Sequence, residues 1–377
     1  MPFLQKDEDG IIVKQGQFWS QKQRQEHSMH YIVPYQACFP PQLPKYFIQN
    51  YSKQKEIVLD PFCGRGTTVL EANQLERIGY GADISPLAIH ISRTKLNNIS
   101  LIEVQQRLQS INFKQKCLYE YERFIDIYHP DTYSQIMNLK KQLKCNPIDN
   151  FIKTIILGRL HGHTPAFFSV WTFNVISFSI EKIRKQSQMK GLKPKFRDVV
   201  PRILSKAEAV LKNPIKEQPE SKVLYCDSRK LTISDNCVDL IVTSPPFLDL
   251  VNYLDDNWLR FWFLGINIDK YMGKIVQSTS LKEYGDFLFD SLKEMYRVLK
   301  PGKYCIVEVG DVNYYGKKVY LDELVNKLAS VVGFNIEKIL INEITQPNIS
   351  KEFRRKPPGQ GTKTNRCVVM RKPSQLV

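Results

Sequence analysis

A short strand that ends in an acidic, glycine-containing turn is the feature that most restricts the fold. The apolar residues Ile57-Val58-Leu59 are followed at once by Asp60 and the loop Pro61–Gly66, and a helical composition begins at Thr67. A strand that passes through a glycine loop directly into a helix is the first unit of an open α/β sheet, which binds ligands at that edge. The sequence therefore predicts a ligand site at residues 60–67.

The same alternation of strands and helices continues along most of the chain. Apolar runs predict further strands, and helical spacing predicts the helices between them. The predicted strands are 80–83, 222–226, 238–242, 304–309, 335–342 and 366–371, and the predicted helices are 67–76, 86–97 and 281–299. Alternating elements of this kind form a mostly parallel sheet with helices on both faces.

Residues 100–215 interrupt this pattern, because they show helical spacing without a convincing strand. We interpret them as a helical insertion between the second and third strands of the sheet. The stretch 213–222, rich in Pro, Lys and Glu, is expected to be a linker back into the sheet. The segment 1–50 is expected to form an arm that leads into a short helix.

Positive charge is concentrated in two segments. The net charge is +16, and residues 181–222 and 351–372 each carry a net charge of +7. Clustered positive charge indicates a polyanionic partner, with nucleic acid as the first candidate. The alternative is a basic surface that serves solubility alone.

The rest of the composition excludes several classes of protein. The 377 residues suffice for about two domains, or for one large domain with an insertion. No run approaches the roughly 20 apolar residues of a membrane span, and the start of the chain does not resemble a signal peptide. The eight cysteines include no CxxC pair. We therefore expect a cytoplasmic protein with reduced cysteines and no membrane segment.

Three acidic residues at predicted strand ends point to the chemistry of the ligand. Asp60 ends the first strand, Asp83 the second and Asp227 the third. A carboxylate at the end of the second strand can accept both ribose hydroxyls. Neither a dinucleotide fingerprint nor a phosphate-binding GxxxxGK[ST] motif is present. The set suits a nucleoside with a positive charge and no phosphate, such as S-adenosylmethionine, although each acid alone could serve turn chemistry.

The second motif is Thr243-Ser244-Pro245-Pro246-Phe247, directly after the strand 238–242. Two prolines hold the backbone extended and remove two amide donors, so the nearby carbonyls are free to accept hydrogen bonds. These carbonyls and the Ser244 oxygen could hold the amino group of a nucleobase, and Phe247 could stack on a base that has left the duplex. The alternative is a simple Pro-Pro turn.

The motifs DPFCGRGTT and TSPPF together resemble the S-adenosylmethionine-dependent amino-methyltransferases of DNA, of the restriction-modification type. The TSPP form is similar to the N4-cytosine branch, whereas the N6-adenine branch usually has Asp-Pro-Pro-Tyr. The segment HSMHYIVPYQACFPPQLPKYFIQNYS resembles the upstream region that flanks the methionine end of the cofactor, and MYRVLKPGKYCIVEVGD resembles a later strand–helix element. The family's fold implies an α/β, Rossmann-like class I methyltransferase with a mostly parallel central sheet and a helical insertion.

The resemblance implies roles for individual residues and for three parts of the chain. The expected parts are an arm and cofactor-binding half (1–99), a helical insertion that is a candidate target-recognition region (100–220), and a catalytic half with a basic end (221–377). The expected catalytic residues are Ser244, Pro245, Pro246 and Phe247. The expected cofactor-binding residues are Asp60, Phe62, Cys63, Gly64, Gly66, Thr67, Asp83, Ile84, Asp227 and Thr243.

The sequence thus predicts transfer of a methyl group from S-adenosylmethionine to N4 of cytosine in double-stranded DNA, with base flipping. N6-adenine methylation of DNA, methylation of RNA or of a protein amide on the same fold, and non-catalytic nucleic-acid binding stay open as alternatives. His161 and His163 lack further ligands nearby, so we expect no metal. A paired restriction endonuclease is implied by the resemblance alone, and we expect a monomer or weak dimer.

Overall fold

A nine-stranded sheet organises the chain in the computed structural model, with strand order β1-β2-β10-β11-β7-β6-β3-β4-β5. The structure describes residues 3–6, 10–19, 26–36, 38–172, 175–246, 252–274, 280–314, 317–343 and 364–374. The strands are β1 (Phe3–Lys6), β2 (Ile12–Gly16), β3 (Ile57–Asp60), β4 (Ile78–Asp83), β5 (Lys222–Tyr225), β6 (Val238–Thr243), β7 (Leu299–Val309), β8 (Asp311–Tyr314), β9 (Lys317–Tyr320), β10 (Asn335–Glu343) and β11 (Thr364–Arg371). Strands β8 and β9 pair separately.

Helices cover both faces of the sheet. Their bounds are α1 (Gln42–Tyr51), α2 (Thr67–Gln74), α3 (Pro86–Thr94), α4 (Leu101–Gln109), α5 (Tyr121–Phe124), α6 (Pro130–Gln142), α7 (Pro147–Leu157), α8 (Ile180–Met189), α9 (Val199–Val210), α10 (Trp258–Leu264), α11 (Leu281–Val298) and α12 (Leu321–Val332). Apolar residues of α11 and α12 pack with one face of the sheet, and those of α1 and α2 pack with the other. The predicted fold class, a mostly parallel α/β sheet with a helical insertion, is confirmed.

The parallel half of the sheet places the carboxyl ends of its strands at one edge. Strands β7, β6, β3, β4 and β5 are parallel to one another, whereas β11 pairs with β7 in the antiparallel direction. The chain moves outward from β3 to β4 and β5 on one side, and to β6 and β7 on the other. The point between β3 and β6 is therefore a topological switch point, where open α/β sheets bind ligands.

The helices α4 to α9 lie between β4 and β5 in sequence and form no separate core. Their buried residues pack in one apolar cluster with Leu70 of α2, Leu87 and Ile91 of α3, and Phe261 of α10. Several of them begin with side-chain caps, including Ser100 before α4 and Asn146 before α7. This set of helices is called the helical block below.

Three sequence predictions about the elements were wrong or incomplete. The segment 1–50 contains β1 and β2 before helix α1, and β2 pairs in parallel with β10, which lies near the opposite end of the chain. Strand β7 begins at Leu299 rather than at residue 304, because the chain continues in the sheet through the KPG segment, with Gly302 at φ +78°. Asp227 lies two residues beyond the last residue of β5, not at its end.

Candidate active site

One pocket lies at the carboxyl ends of β3, β4, β5 and β6. It brings together eight of the residues expected from the sequence and several that were not. The expected residues that line it are Phe62, Gly64, Asp83, Ile84, Asp227, Ser244, Pro245 and Pro246; the others are Tyr35, Pro61, Ser85, Ser228, Tyr253, Lys274 and Phe287. The two motifs, which are far apart in sequence, therefore form walls of the same pocket.

Asp60 organises the first motif from beneath the pocket. Its buried carboxylate accepts hydrogen bonds from the hydroxyls of Thr243, at 2.6 Å, and Thr68, at 2.8 Å, and from the amide of Phe62, at 3.1 Å. Burial raises the pKa of Asp60 to about 6, and these three donors oppose that shift. Asp60 thus ties β3 to β6 and fixes the start of the loop, and it does not line the pocket.

The glycines of the loop have different surroundings. Gly64 and Gly66 both have positive φ, at +48° and +74°, which side-chain-bearing residues rarely adopt. A Cβ at Gly64 would make an ordinary contact, 3.6 Å from a ring carbon of Tyr35, whereas a Cβ at Gly66 would lie 2.8 Å from the Ser92 hydroxyl of α3. Gly64 faces the pocket, while Gly66 allows the loop to pack against α3. Cys63 of the loop and Thr67, the first residue of α2, are buried and do not line the pocket.

Asp83, the last residue of β4, faces the pocket and also holds its wall. Its two carboxylate oxygens accept hydrogen bonds from the backbone amides of Gly64, at 2.9 Å, and Ser85, at 2.8 Å. The amide of Ile84 is a further donor to this carboxylate, and of its roughly four acceptor positions one is left for a ribose hydroxyl. Burial raises the pKa of Asp83 to about 6, against the lowering effect of these amides. Ile84 adds an apolar surface next to it.

Asp227 lies on the β5 side of the pocket and is held by a neighbour. Arg229 donates to both of its carboxylate oxygens, with the shortest distance at 2.6 Å, and this contact lowers the pKa of Asp227 against the effect of burial. The Phe62 and Phe287 rings form the nearby apolar wall, with centroids 5.6 Å apart. This wall offers a flat planar ligand an aromatic contact and an adjacent acceptor.

The second motif follows β6 and brings an acceptor cluster to the opposite wall. Thr243 is buried and bonded to Asp60, while Ser244, Pro245 and Pro246 line the pocket. Phe247, which we expect to stack on the target base, lies outside the described residues.

Glu308 is a functional candidate that sequence reasoning missed. This buried residue of β7 has a side-chain hydrogen bond with Ser244, and it accepts a hydrogen bond from Asn365 of β11 at 2.7 Å. Burial raises the pKa of its carboxyl, and the two hydrogen bonds oppose the shift. An acid within the apolar run CIVEV was the signal that could have identified it, because buried acids are rare unless they are paired.

Two tyrosines and a lysine of the pocket were not among the expected catalytic or cofactor-binding residues. Tyr35 comes from the arm, and burial raises the pKa of its hydroxyl well above the usual value. Tyr253 and Lys274 come from the segment between β6 and α11. Tyr35 lies in the segment expected to flank the cofactor, and Tyr253 lies just past the second motif, whereas no local pattern marks Lys274.

The donor set fits S-adenosylmethionine. Carboxylates at neighbouring strand ends, apolar walls at Phe62, Ile84 and Phe287, and a glycine wall at Gly64 suit a cationic nucleoside without a phosphate. Among the described residues, no group of three or more His, Cys, Asp or Glu side chains could hold a metal ion. No helix in the described ranges is long and apolar enough to cross a membrane.

Comparison with known proteins decides the family. The model of the N6/N4 methylase family, described as DNA methylase, matches residues 4–94 and 238–359, which is more than half of the chain. The chain belongs to this family. The resemblance stated from the two motifs is therefore confirmed, and so is the predicted cofactor, since S-adenosylmethionine is the methyl donor of these enzymes. The family model covers both N4 and N6 methylases.

Individual relatives match over different lengths. The chain is 34% identical over 97 residues to the type II methyltransferase M.MjaII of Methanocaldococcus jannaschii. This matched region is 26% of this chain and only 18% of that protein. It is 23% identical to the type II methyltransferase M.BsoBI of Geobacillus stearothermophilus, over 85% of this chain and 72% of that protein. A solved putative DNA modification methylase from Thermus thermophilus, complexed with S-adenosyl-L-methionine, is 22% identical over 40% of this chain and 55% of its own, with a TM-score of 0.26.

Proposed function

We propose that the protein methylates the exocyclic amine of a base in duplex DNA, with N4 of cytosine as the target, and that it protects DNA in a restriction-modification system. One observation carries the proposal: Ser244 and the two prolines after it share a pocket with Gly64 and Asp83. A methyl acceptor held by the second motif would therefore lie beside a cofactor held by the first.

The roles of the cofactor-side residues follow from their contacts. The Asp83 carboxylate would accept hydrogen bonds from the ribose hydroxyls. The Asp227 carboxylate would accept a hydrogen bond from the amino group of the adenine. Asp60, Cys63, Gly66, Thr67 and Thr243 would act indirectly, because they shape the loop from beneath the pocket. When bound, S-adenosylmethionine supplies a methyl carbon on a positively charged sulfur, which is open to attack by a nucleophile.

The target-side residues would prepare the amine for that attack. The nitrogen of an exocyclic amine is a poor nucleophile, since its lone pair is conjugated into the ring. The Ser244 oxygen and the carbonyl of Pro245 would accept both of its N–H groups and favour a pyramidal nitrogen with an available lone pair. Phe247 would stack on the flipped base, and Pro246 would keep the backbone extended.

Glu308 would take the proton that the methylated amine must lose. As a new N–C bond forms, the carbon–sulfur bond breaks and its electron pair stays on sulfur, so the amine nitrogen becomes positively charged. Ser244 can accept one amine proton while it passes its own hydroxyl proton to the Glu308 carboxylate, with which it shares a hydrogen bond. A buried carboxylate with a raised pKa is a stronger base than an exposed one.

The preference for cytosine rests on Ser244. The N6-adenine branch usually carries Asp at this position, whereas this chain carries Ser. N6-adenine methylation of DNA is the second candidate, because both reactions require the same acceptors around an exocyclic amine.

Nucleoside mass spectrometry tests the proposal. Wild type, Ser244→Ala and the control Ser205→Ala, an exposed serine of α9, are expressed in a host without DNA methylation, and host DNA and RNA are digested separately. We expect 4-methylcytosine in DNA from wild type and the control, and its loss in Ser244→Ala. 6-Methyladenine would overturn the choice of base, and methylation of RNA alone would overturn the choice of DNA.

A further inference from the structure

We propose that Lys185, Lys193 and Lys195 form a docking surface for the phosphate backbone of duplex DNA, beside the target-base pocket. These three residues are called the lysine surface. The inference rests on the proposed function and names the part of the helical block that contacts DNA.

The lysine surface is available to a partner. Lys185 lies on α8, and Lys193 and Lys195 lie between α8 and α9; all three are exposed. Within the part of the chain that the structure describes, none of their three ammonium groups takes part in a hydrogen bond or an ion pair. Unpaired ammonium groups on a surface attract phosphates and release counterions when they bind them.

Most other cations of the basic segment 181–222 already have partners within the protein. Arg184 pairs with Asp126 at 2.6 Å, and Lys216 pairs with Glu76 at 2.9 Å. Arg197, Arg202 and Lys206 donate to backbone carbonyls, and Lys222 lies 4.4 Å from the centre of the Tyr80 ring. The basic segment 181–222 therefore contains only a small set of cationic side chains without a partner among the described residues.

The helical block is joined to the segment after the second motif, just before helix α8 begins. The amide of Ser177 donates to the carbonyl of Asp256 at 2.7 Å, and the Trp258 indole donates to the carbonyl of Phe178 at 2.9 Å. Tyr253, a few residues before these contacts, lines the pocket.

Helix α8 begins at Ile180, directly after this junction. Lys185 is five residues further, which is about 8 Å along a helix axis. Lys216 and Lys222, in contrast, lie at the amino ends of the parallel strands, since Lys222 is the first residue of β5 and Glu76 precedes β4. Lys216 and Lys222 therefore lie at the end of the parallel strands opposite to the pocket.

A matched pair of triple variants tests the inference. The surface variant carries Lys185→Gln, Lys193→Gln and Lys195→Gln. The control variant carries Lys212→Gln, Lys216→Gln and Lys222→Gln, which removes the same charge from the same basic segment. Each protein is titrated onto a labelled 30-base-pair DNA duplex at several salt concentrations, and calorimetry measures its affinity for S-adenosylmethionine.

We expect the surface variant to lose about three units of the slope of log affinity against log salt, and at least about tenfold in affinity near physiological salt. The control variant should keep the wild-type slope, and both should bind the cofactor as wild type does. Equal slopes for the two variants would overturn the inference, and a loss seen with an RNA duplex but not with DNA would do the same. If wild type methylates DNA while the surface variant binds DNA normally, the inference fails and the proposed function stands; a wild type without affinity for DNA would overturn both.

Discussion

Two groups of buried ionisable side chains near the loop Pro61–Gly66 differ in how many hydrogen-bond donors or acceptors satisfy them. The site acids, Asp60, Asp83 and Glu308, each accept hydrogen bonds from at least two donors. The rear cluster is His30, Arg65, Glu71 and Lys95, which come from the arm, the loop, α2 and the end of α3. Within the described residues, His30 Nδ1, Arg65 Nη2 and Lys95 Nζ have no hydrogen-bond partner.

The pKa shifts of the rear cluster follow from that lack of partners. Burial lowers the pKa of Lys95 well below its usual value, and nearby Arg65 lowers it further. Burial also lowers the pKa of His30 and raises the pKa of Glu71 to about 8. Nε2 of His30 and Oε1 of Glu71 are 2.7 Å apart. Because both shifts favour the uncharged forms, these two side chains share a hydrogen bond as a largely neutral pair at pH 7. The site acids are thus held in place by their donors, whereas the unpaired groups of the rear cluster cost stability.

The largest expected effect concerns Glu308. Replacement of Glu308 by Gln keeps the size of the side chain but removes the base, so we expect kcat for methyl transfer to fall about a hundredfold or more. The affinity for S-adenosylmethionine should not change, because Glu308 does not line the pocket. In wild type, kcat should rise with pH as the Glu308 carboxyl ionises, and this rise should disappear in the variant. Single-turnover kinetics across pH measure both effects.

The control for this prediction is Glu337→Gln, which makes the same change at an exposed position of β10. If Glu308→Gln retains the kcat of this control, the carboxylate has no part in proton transfer. Ser244 would then release the proton to solvent.

Gly64 and Gly66 extend the comparison, because Gly64 faces the pocket and Gly66 faces α3. Gly66→Ala would combine an unfavourable positive φ with a contact of 2.8 Å to Ser92, so we expect the free energy of unfolding to fall by about 2–4 kcal/mol. Gly64→Ala meets only ordinary contacts and should cost about 1 kcal/mol, but its methyl group would enter the pocket and weaken cofactor binding. Urea unfolding and calorimetry separate the two. A larger loss of stability in Gly64→Ala than in Gly66→Ala would contradict this assignment.

Lys95→Met tests whether the rear cluster costs stability. Because the pKa of Lys95 is lower in the folded state, the unfolded chain binds more protons, and the stability of wild type should rise with pH toward the unfolded pKa near 10.4. The variant should be more stable than wild type by about 1–3 kcal/mol at pH 7, with a gain that shrinks as the pH rises. Urea unfolding at pH 7 and pH 9.5 measures this gain, with exposed Lys141→Met as the control. A variant less stable than wild type at pH 7 would mean that Lys95 is satisfied by a partner.

The sequence could predict the loop and the second motif because both depend on local chemistry. Asp60, the two loop glycines and the Pro-Pro pair each follow directly from an apolar strand, and parallel strands bring their carboxyl ends together. Glu308 and Tyr35 could not be assigned in this way, since their neighbours come from distant parts of the chain.

The same reason explains the errors in the fold. Strand β2 forms because it pairs with β10, near the opposite end of the chain, and the unpaired donors of Arg65 and Lys95 depend on how α3 packs against the loop. Periodicity reports which face of an element is apolar, but it does not report what covers that face.

The smallest expected effect is the pH dependence of cofactor binding. The pKa of Asp83 is raised to about 6 in the free protein, and the ionised carboxylate is the form that accepts ribose hydroxyls. The affinity for S-adenosylmethionine should therefore be constant above about pH 7 and fall by up to tenfold per pH unit below 6, because binding then requires loss of a proton. Calorimetry between pH 5 and 8 measures this fall. In Asp83→Asn the affinity for S-adenosylmethionine should be lower and nearly independent of pH. If the affinity of this variant falls at low pH as much as that of wild type, the titrating group is Asp60, whose pKa is also about 6. Asp60 would then act on the ligand through the loop, and the two site acids would form one coupled unit.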